Sequence, residues 1–450
     1  MRICMFVSND MTSDPRVSRH AETLGRMGHE VVVVCPKSPS TSHLEERTSY
    51  RVVRWNVFPP ARDKMSRRKS VSAPTRNLTY PFPQERPQRL FGRVMRGIVA
   101  SLFRLVLHPA RLTYVFWKAG RKFNAHVYYT NDLDTLLAGV LCSGASRILI
   151  HDAHELWPDQ FIGMGVYRPP AIAWMRILER LLIRHAEVVI TVNEFIAEVM
   201  QKRYGIEKPH VVLNLPAAEP LEPGETPRKT GSPKVVLYQG LYTSQRGLEN
   251  VIRACEFLEN DVVLVVRGSG PTEQQLRAIA KPFRNCSFEP PVNMSETVTA
   301  AAQTADVGLV SYLPVNINNY FASPNKLFEY IQAGLPVVSS DLPFLRSIIA
   351  GNEIGLLFNP RDPADIAAKI NMATRDAMLA ILRTNVRRIQ KRYRWDEEQE
   401  KLVSLVRRLT NSPKSEGTAT HPEVYTNSSR PQEALSLDQY KQAVPRTAHR

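Results

Sequence analysis

The chain has 450 residues, 43% hydrophobic, 23% charged and 8% aromatic; at roughly 150 residues per domain this is two or three ordinary globular domains. Whole-chain disorder and a small disulfide scaffold are excluded, because the five cysteines (Cys4, Cys35, Cys142, Cys255, Cys286) are scattered and form no CxxC pair. The formal net charge of +16 is uneven: residues 1–215 hold 31 Lys/Arg against 18 Asp/Glu, and residues 216–450 hold 28 against 25.

Five reduced thiols fit the cytoplasm, and the first residues, MRICMFVSND, carry no signal-peptide pattern. The longest uncharged run, Val307 to Asn325, contains two prolines and four asparagines and is too polar to sit in hydrocarbon. A soluble or peripheral protein is expected.

Arg2 to Val7 reads as a buried strand, followed by a loop through Ser13-Asp14-Pro15 and a helix ending at Gly25 or Gly28. HEVVVVC is a continuous β-branched run, the kind buried in a parallel sheet. Residues 51–125 then carry 17 basic and 2 acidic side chains. Within them, 59–87 is rich in proline and basic residues and reads as a long loop. From Gln88 to Leu107 the pattern is helical, with Leu90, Phe91, Val94, Met95, Ile98, Val99, Leu102 and Phe103 on one face and Arg89, Arg93, Arg96 and Arg104 off it. Pro109 is expected to stop this helix. A basic amphipathic segment over 86–122 suits an anionic membrane surface; a helix that buries its apolar face in its own domain is the plainer alternative. Nucleic acid is not expected, because no exposed aromatic platform interleaves the arginines.

Further strands are expected at Ala125–Tyr129, Arg147–Ile150, Val188–Val192 and Val211–Leu213, with helices between. Alternation of this kind implies a doubly wound parallel α/β domain over 1–213. Residues 214–234 hold five prolines and read as a linker. The same grammar restarts with KVVLYQG, a helix over Gly247–Phe257, DVVLVVRGSG, ADVGLVSY and LPVVSSD, giving a second α/β domain over 235–391. A helix over 392–410 follows, and 411–450 is Ser/Thr/Pro-rich and expected to be disordered. Two such domains place a ligand cleft between the carboxyl ends of two sheets.

The strongest local signal is SPNKLFEYIQAGLPVV, Ser323 to Val338. Ser323 is a favoured N-cap, Pro324 suits the first helical position, and Gly334 with Pro336 ends the helix near Ala333. The free N–H groups at its start suit a phosphate. Lys326 and Glu329 share a face one turn apart, where a cation can pair with phosphate and a carboxylate can accept ribose hydroxyls; a plain surface pair is equally compatible with the spacing. The turn Gly268-Ser269-Gly270 and the pair Gly240 and Arg246 are weaker phosphate signals at the same strand ends. His151, Asp152, His154, Glu155 and Asp159 form a cluster, but HDAHE is not the HExxH arrangement and no metal is expected.

These residues resemble the family 4 glycosyltransferases, retaining enzymes of the GT-B fold that use nucleotide sugars. The resemblance runs over residues 1–410 through DPRVSRHAETLGRMGHEVVVVC, YYTNDLDTLLAG, HDAHELWPD, LYQGLYTSQRGLENVIRA, VVRGSGP and SPNKLFEYIQAGLPVVSSDLP. It implies a sugar moved from a nucleotide diphosphate donor to an acceptor, with no cofactor; the basic stretch 51–125 on the acceptor-side domain points to a glycan or lipid-linked acceptor at the inner face of the plasma membrane, in envelope or exopolysaccharide synthesis. Glu329 matches the glutamate that holds the donor ribose, Arg246 the residue on the diphosphate, with Lys326 assisting, and His154 the histidine beside the transferred sugar. Ser323, Pro324, Asn325 and Leu327 complete the implied donor segment, and Arg16, Asn131, Asp132 and Glu155 fall on the implied acceptor side. RWDEEQEKLVSL looks like the helix that returns to the first domain. The sequence departs from the family pattern at Phe321, where a first glutamate is usual, and at Leu241, where a second phosphate-binding cation is usual. A nicotinamide dehydrogenase is excluded by the absence of glycine between Ser8 and Ala21. The competing expectations are a nucleotide-sugar epimerase of the same fold and a non-catalytic membrane-surface assembly protein.

Overall fold

The computed structural model describes residues 1–57 except 13, residues 107–217 except 165, 166 and 168, and residues 232–411. The expected loop 59–87, the helix bearing Arg89, Arg93, Arg96 and Arg104, most of the linker and the C-terminal tail lie outside the described residues.

The β-branched run Glu30–Pro36 (β2) is buried at five successive positions, as a strand covered on both faces must be. It pairs in parallel with Arg2–Phe6 (β1), and β1 pairs with Val127–Asn131 (β5). Ile148–Ala153 (β6), Val188–Thr191 (β7) and His210–Val211 (β8) extend the sheet on that side, all parallel. On the other side lie Arg51–Trp55 (β4), parallel to β2, and Leu44–Glu46 (β3), the one antiparallel strand of this sheet. Neither β3 nor β4 was expected from the sequence pattern.

Among the described residues, the α-helices of this domain are Pro15–Arg26 (α1), His108–Phe123 (α2), Leu133–Ser143 (α3), Pro169–Leu182 (α4) and Glu194–Tyr204 (α5). Alternate side chains of β1 feed two layers. Ile3 and Met5 pack with α1, while Cys4 and Phe6 pack with Leu112 and Phe116 of α2 and Leu136 of α3. Pro109 lies in the first turn of α2, where its missing N–H has no intrahelical partner to lose. Among the described residues it therefore sits at the start of a helix, and the helix it was expected to stop lies outside them.

The second sheet is wholly parallel, in the order Cys286–Glu289 (β11), Val262–Ser269 (β10), Lys234–Leu241 (β9), Val307–Val310 (β12), Val337–Ser340 (β13) and Gly355–Phe358 (β14). Its helices are Leu248–Arg253 (α6), Glu273–Ala280 (α7), Thr297–Thr304 (α8), Ile317–Tyr320 (α9), Asn325–Gln332 (α10), Pro343–Ile349 (α11), Pro363–Thr374 (α12) and Asp376–Gln390 (α13). Trp395–Asn411 (α14) then returns to the first domain. Trp395 stacks on His20 at 5.2 Å and donates to Thr23 Oγ1 at 3.1 Å, and Leu402, Leu405 and Val406 enter the core beside α1. The two sheets thus face each other across a cleft formed at their carboxyl ends.

Candidate active site

One wall of the cleft is built on α10. Pro324, extended at φ −77° and ψ 133°, takes the N-cap position, and the helix starts at Asn325. The expected N-cap, Ser323, lies one residue outside, and its buried Oγ has no partner among the described residues. At the other end Gly334 (φ +71°) donates to Ile331 O at 3.0 Å and Leu335 donates to Tyr330 O at 2.9 Å. This is a Schellman closure, which requires the left-handed conformation glycine adopts freely.

Lys326 is buried, with Nζ 3.7 Å from the centroid of the Tyr238 ring. Burial and the neighbouring Arg246 push its ammonium well below the usual lysine range, and Glu329 opposes them. A Cβ on Gly240 would meet this Nζ at 3.0 Å. The lysine therefore occupies the space beside Gly240, while Leu241, the next residue, points into solvent. Arg246 lays its guanidinium over Tyr312 at 3.8 Å. Two basic side chains on aromatic faces converge here, an arrangement complementary to a polyanion. Glu329 accepts from Gln239 Nε2 at 2.9 Å, and burial raises its pKa.

The glycine segment that ends β10 is a packing device. A Cβ on Gly268 would fall 2.0 Å from Gly240 O, and one on Gly270 2.4 Å from Tyr242 O. Ser269 O accepts from Tyr242 N–H at 2.8 Å. The segment lets two strand ends approach closely next to Gly240.

The opposite wall comes from β5 and β6. Strand β6 runs on to Ala153, so His151 and Asp152 are strand residues and His154 opens the following loop. His154 Nε2 lies 3.1 Å from Asn131 Oδ1 and 3.5 Å from Asp152 Oδ2, and Nδ1 lies 3.5 Å from Asp132 Oδ2. Its backbone N–H donates to Asp132 Oδ1 at 3.0 Å. Burial works against the imidazolium, but Asp132 and Asp152 outweigh it and raise the pKa to about 9. The ring therefore carries both protons at neutral pH and is a donor, not a base. Asp152 stays ionised despite burial because Arg16 grips it through Nε (3.0 Å) and Nη2 (2.7 Å). Arg16 Nη1 donates to Val212 O, so this residue, expected to face the acceptor, is instead buried behind His154 and orders its network. Asn131 is held by its own donation to Phe6 O at 2.8 Å. Asp132 sits at φ 60°, ψ 170°, a backbone region close to glycine-only, and burial raises its carboxyl to about 7 against the pull of His154. His154 and Asp132 remain 20% and 24% exposed to the cleft.

Glu155 accepts from Asn318 Nδ2 at 3.0 Å, and Asn318 Oδ1 accepts from Leu156 N–H at 2.9 Å. These bonds tie the His154 loop to the second domain. Phe321 is part of the same junction. It stacks on Phe195 of α5 at 5.5 Å and 9°, and its carbonyl accepts from Asn193 Nδ2 at 2.9 Å. Phe321 is therefore an inter-domain contact. The rest of the HDAHE cluster is engaged elsewhere: His151 with Thr130 Oγ1 at 3.0 Å, and Asp159 with Arg176 and Arg203.

Two side chains escaped the sequence reading. A cleft of about 280 Å³ between the domains is lined by Pro15, Arg19, Asn214 and Pro216 on one side and by Met294, Val298, Asn325 and Glu329 on the other. The Arg19 guanidinium bonds Asn214 Oδ1, and Asn214 Nδ2 donates to Asn325 Oδ1 at 2.8 Å, so a polar chain spans the cleft. Burial, with Arg16 adding to it, lowers Arg19 to about 10. The sequence signal was slight: an arginine three residues after Arg16, on the same face of α1.

Comparison with known proteins gives this cleft a context. Residues 13–216 match a family model described as a glycosyl transferase 4-like domain, and residues 233–376 match one described as glycosyl transferases group 1. The chain is 22% identical over 436 residues to a chitobiosyldiphosphodolichol beta-mannosyltransferase of Candida albicans, covering 90% of this chain and 87% of that one. Sucrose-phosphate synthase from Thermosynechococcus elongatus shares the fold with a TM-score of 0.65 at 19% identity, over 91% of this chain and 99% of that one. HepE of Anabaena, solved in complex with UDP and glucose, does so at 0.61 and 13%, over 92% and 100%. With its first half matching one glycosyltransferase domain and its second half another, the chain belongs to the GT-B glycosyltransferases and is a hexosyltransferase-type enzyme.

Proposed function

We propose that this enzyme transfers a sugar, with retention of configuration, from a nucleoside-diphosphate sugar to a glycan or lipid-linked acceptor in envelope or exopolysaccharide synthesis. The observation that carries the donor reading is the convergence of Lys326 and Arg246 beside the start of α10, with Glu329 one turn along. The diphosphate takes the cations and the helix N-terminus, the ribose hydroxyls take Glu329, and the base enters the cleft flanked by Pro15, Pro216, Met294 and Val298. HepE is also known in complex with UDP-glucose, and the Candida relative is named for a diphosphodolichol-linked acceptor; both support the reading.

Departure of the diphosphate breaks the bond from the sugar C1 to the β-phosphate oxygen, and the electron pair stays on that oxygen. Lys326 and Arg246 stabilise the charge that develops, the effect that usually contributes most to such a step. The acceptor oxygen attacks C1 from the face the phosphate leaves, and its proton passes to the leaving phosphate oxygen. His154, already doubly protonated, donates to the sugar and orients it. A second reading, inversion, is favoured by the Asp132 carboxyl, whose pKa near 7 suits a general base. Product anomeric configuration separates the two. Incubation with a nucleotide-sugar panel and a diphosphate-lipid acceptor, read by NMR, is expected to give the donor's own anomer. The opposite anomer overturns retention, and no transfer with any donor overturns the acceptor class.

A further inference from the structure

Helices α2, α3 and α4 lie side by side, α2 against α3 and α3 against α4. Their inner faces bury Leu112, Phe116, Leu136 and Met175 in one shared core. Their outer faces therefore form one side of the first domain. That side is apolar where a solvated surface is polar. On α4, Trp174, Ile177 and Leu181 are 58%, 51% and 57% exposed and recur at i, i+3 and i+7. Tyr114 of α2 and Leu141 of α3 are likewise more than half exposed. A contiguous run of large exposed apolar side chains is a signature of an interaction surface.

The charge on this side has one sign. Arg111, Lys118, Arg121 and Lys122 of α2 and Arg180 of α4 are exposed, while the three helices carry no exposed carboxylate among the described residues: Glu179 is buried and Asp134 is half-buried. We propose that the outer face of α2, α3 and α4 docks on an anionic lipid bilayer, with Trp174, Ile177 and Leu181 entering the headgroup–acyl boundary and the cations resting on lipid phosphates. Cations interleaved with a tryptophan and aliphatic side chains match that boundary. A second copy of the chain would bring five more cations against these five. A nucleic acid would leave the Ile177 and Leu181 side chains without an apolar partner. Asp132, beside His154, is the N-cap of α3, so a docked face starts at the acceptor side of the cleft. The inference deepens the lipid-linked acceptor reading and draws its purpose from it, but binding and transfer are measured separately.

The test is flotation of the full chain with vesicles of phosphatidylcholine, with and without phosphatidylglycerol, at low and high salt. Binding is expected only with the anionic lipid and is weakened by salt. The variant carrying Lys118→Gln, Arg121→Gln and Arg180→Gln is expected to lose about a hundredfold in partitioning, at about fivefold per cation. The variant carrying Trp174→Ser, Ile177→Ser and Leu181→Ser should lose more than about tenfold. Brominated acyl chains should quench wild-type tryptophan emission, and Trp174→Phe should remove most of that quenching. All these positions are exposed, so melting temperature and the thermal shift given by nucleotide sugars stay at wild-type values. That separates a failure of docking from a failure of the donor site. No flotation, or flotation of both triple variants equal to wild type, overturns the proposal. A wild-type dimer that the serine variant converts to monomer, without vesicle binding, assigns the face to a second copy; retention on RNA in place of vesicles assigns it to nucleic acid. Either result also overturns it.

Discussion

Lys326 is a buried amine held next to the Arg246 guanidinium, and its chemistry follows from that. Burial and Arg246 lower its proton affinity, so a bound diphosphate must restore it. Binding of UDP or GDP is therefore expected to take up protons, and calorimetry in buffers of different ionisation enthalpy reads the number. Lys326→Met should bind more weakly and abolish that component; undiminished uptake would place the proton elsewhere. His154 titrates in the opposite sense. Its folded pKa of about 9 exceeds the ordinary 6.5, so the stabilisation from its charge is complete below about 6.5 and lost as pH rises through about 9. Transfer should fall along a single-proton limb near pH 9 in the wild type. His154→Asn should give a low rate without that limb.

Among the elements, α10 was legible because its termination is local chemistry: Gly334 and Pro336 mark its end in any context. Its start was misplaced by one residue, because proline serves equally as cap or first helical residue and only the chain's approach decides between them. Pro109 carries the same ambiguity, since a proline marks a helix boundary without saying which side the helix lies on, and here it falls in the first turn of α2. Strand β4 escaped because its support is non-local: it exists by pairing with β2, nineteen residues away. Phe321 shows an element-level change of role, since the segment between α9 and α10 spends this position on Phe195 rather than on a ligand. Phe321→Glu places a carboxylate against that ring, and a loss of about 3 kcal/mol or more is expected in denaturant unfolding, with no gain in donor affinity. Tighter donor binding in this variant would mean that the side chain reaches the sugar after all.

At the scale of the whole molecule, two repeats of one strand–helix grammar set two sheets facing each other, and this was readable from hydrophobic runs alone. What the runs did not carry was which side chains meet across the cleft. Arg19 and Asn214 are ordinary residues in sequence and become a bridge only when α14, through Trp395 and Thr23, draws the domains together. Arg16 looked available and is not, because its partner Asp152 lies 136 positions away. On the proposed function, the cleft binds a nucleoside diphosphate sugar through Lys326, Arg246 and Glu329. The most direct measurement is the thermal shift of wild type and Glu329→Ala with UDP, GDP and ADP sugars. One nucleotide should stabilise the wild type, by about 2.7 kcal/mol at a hundred times its Kd, and the shift should collapse in Glu329→Ala. No shift with any of them, or the same shift in both proteins, would contradict the claim.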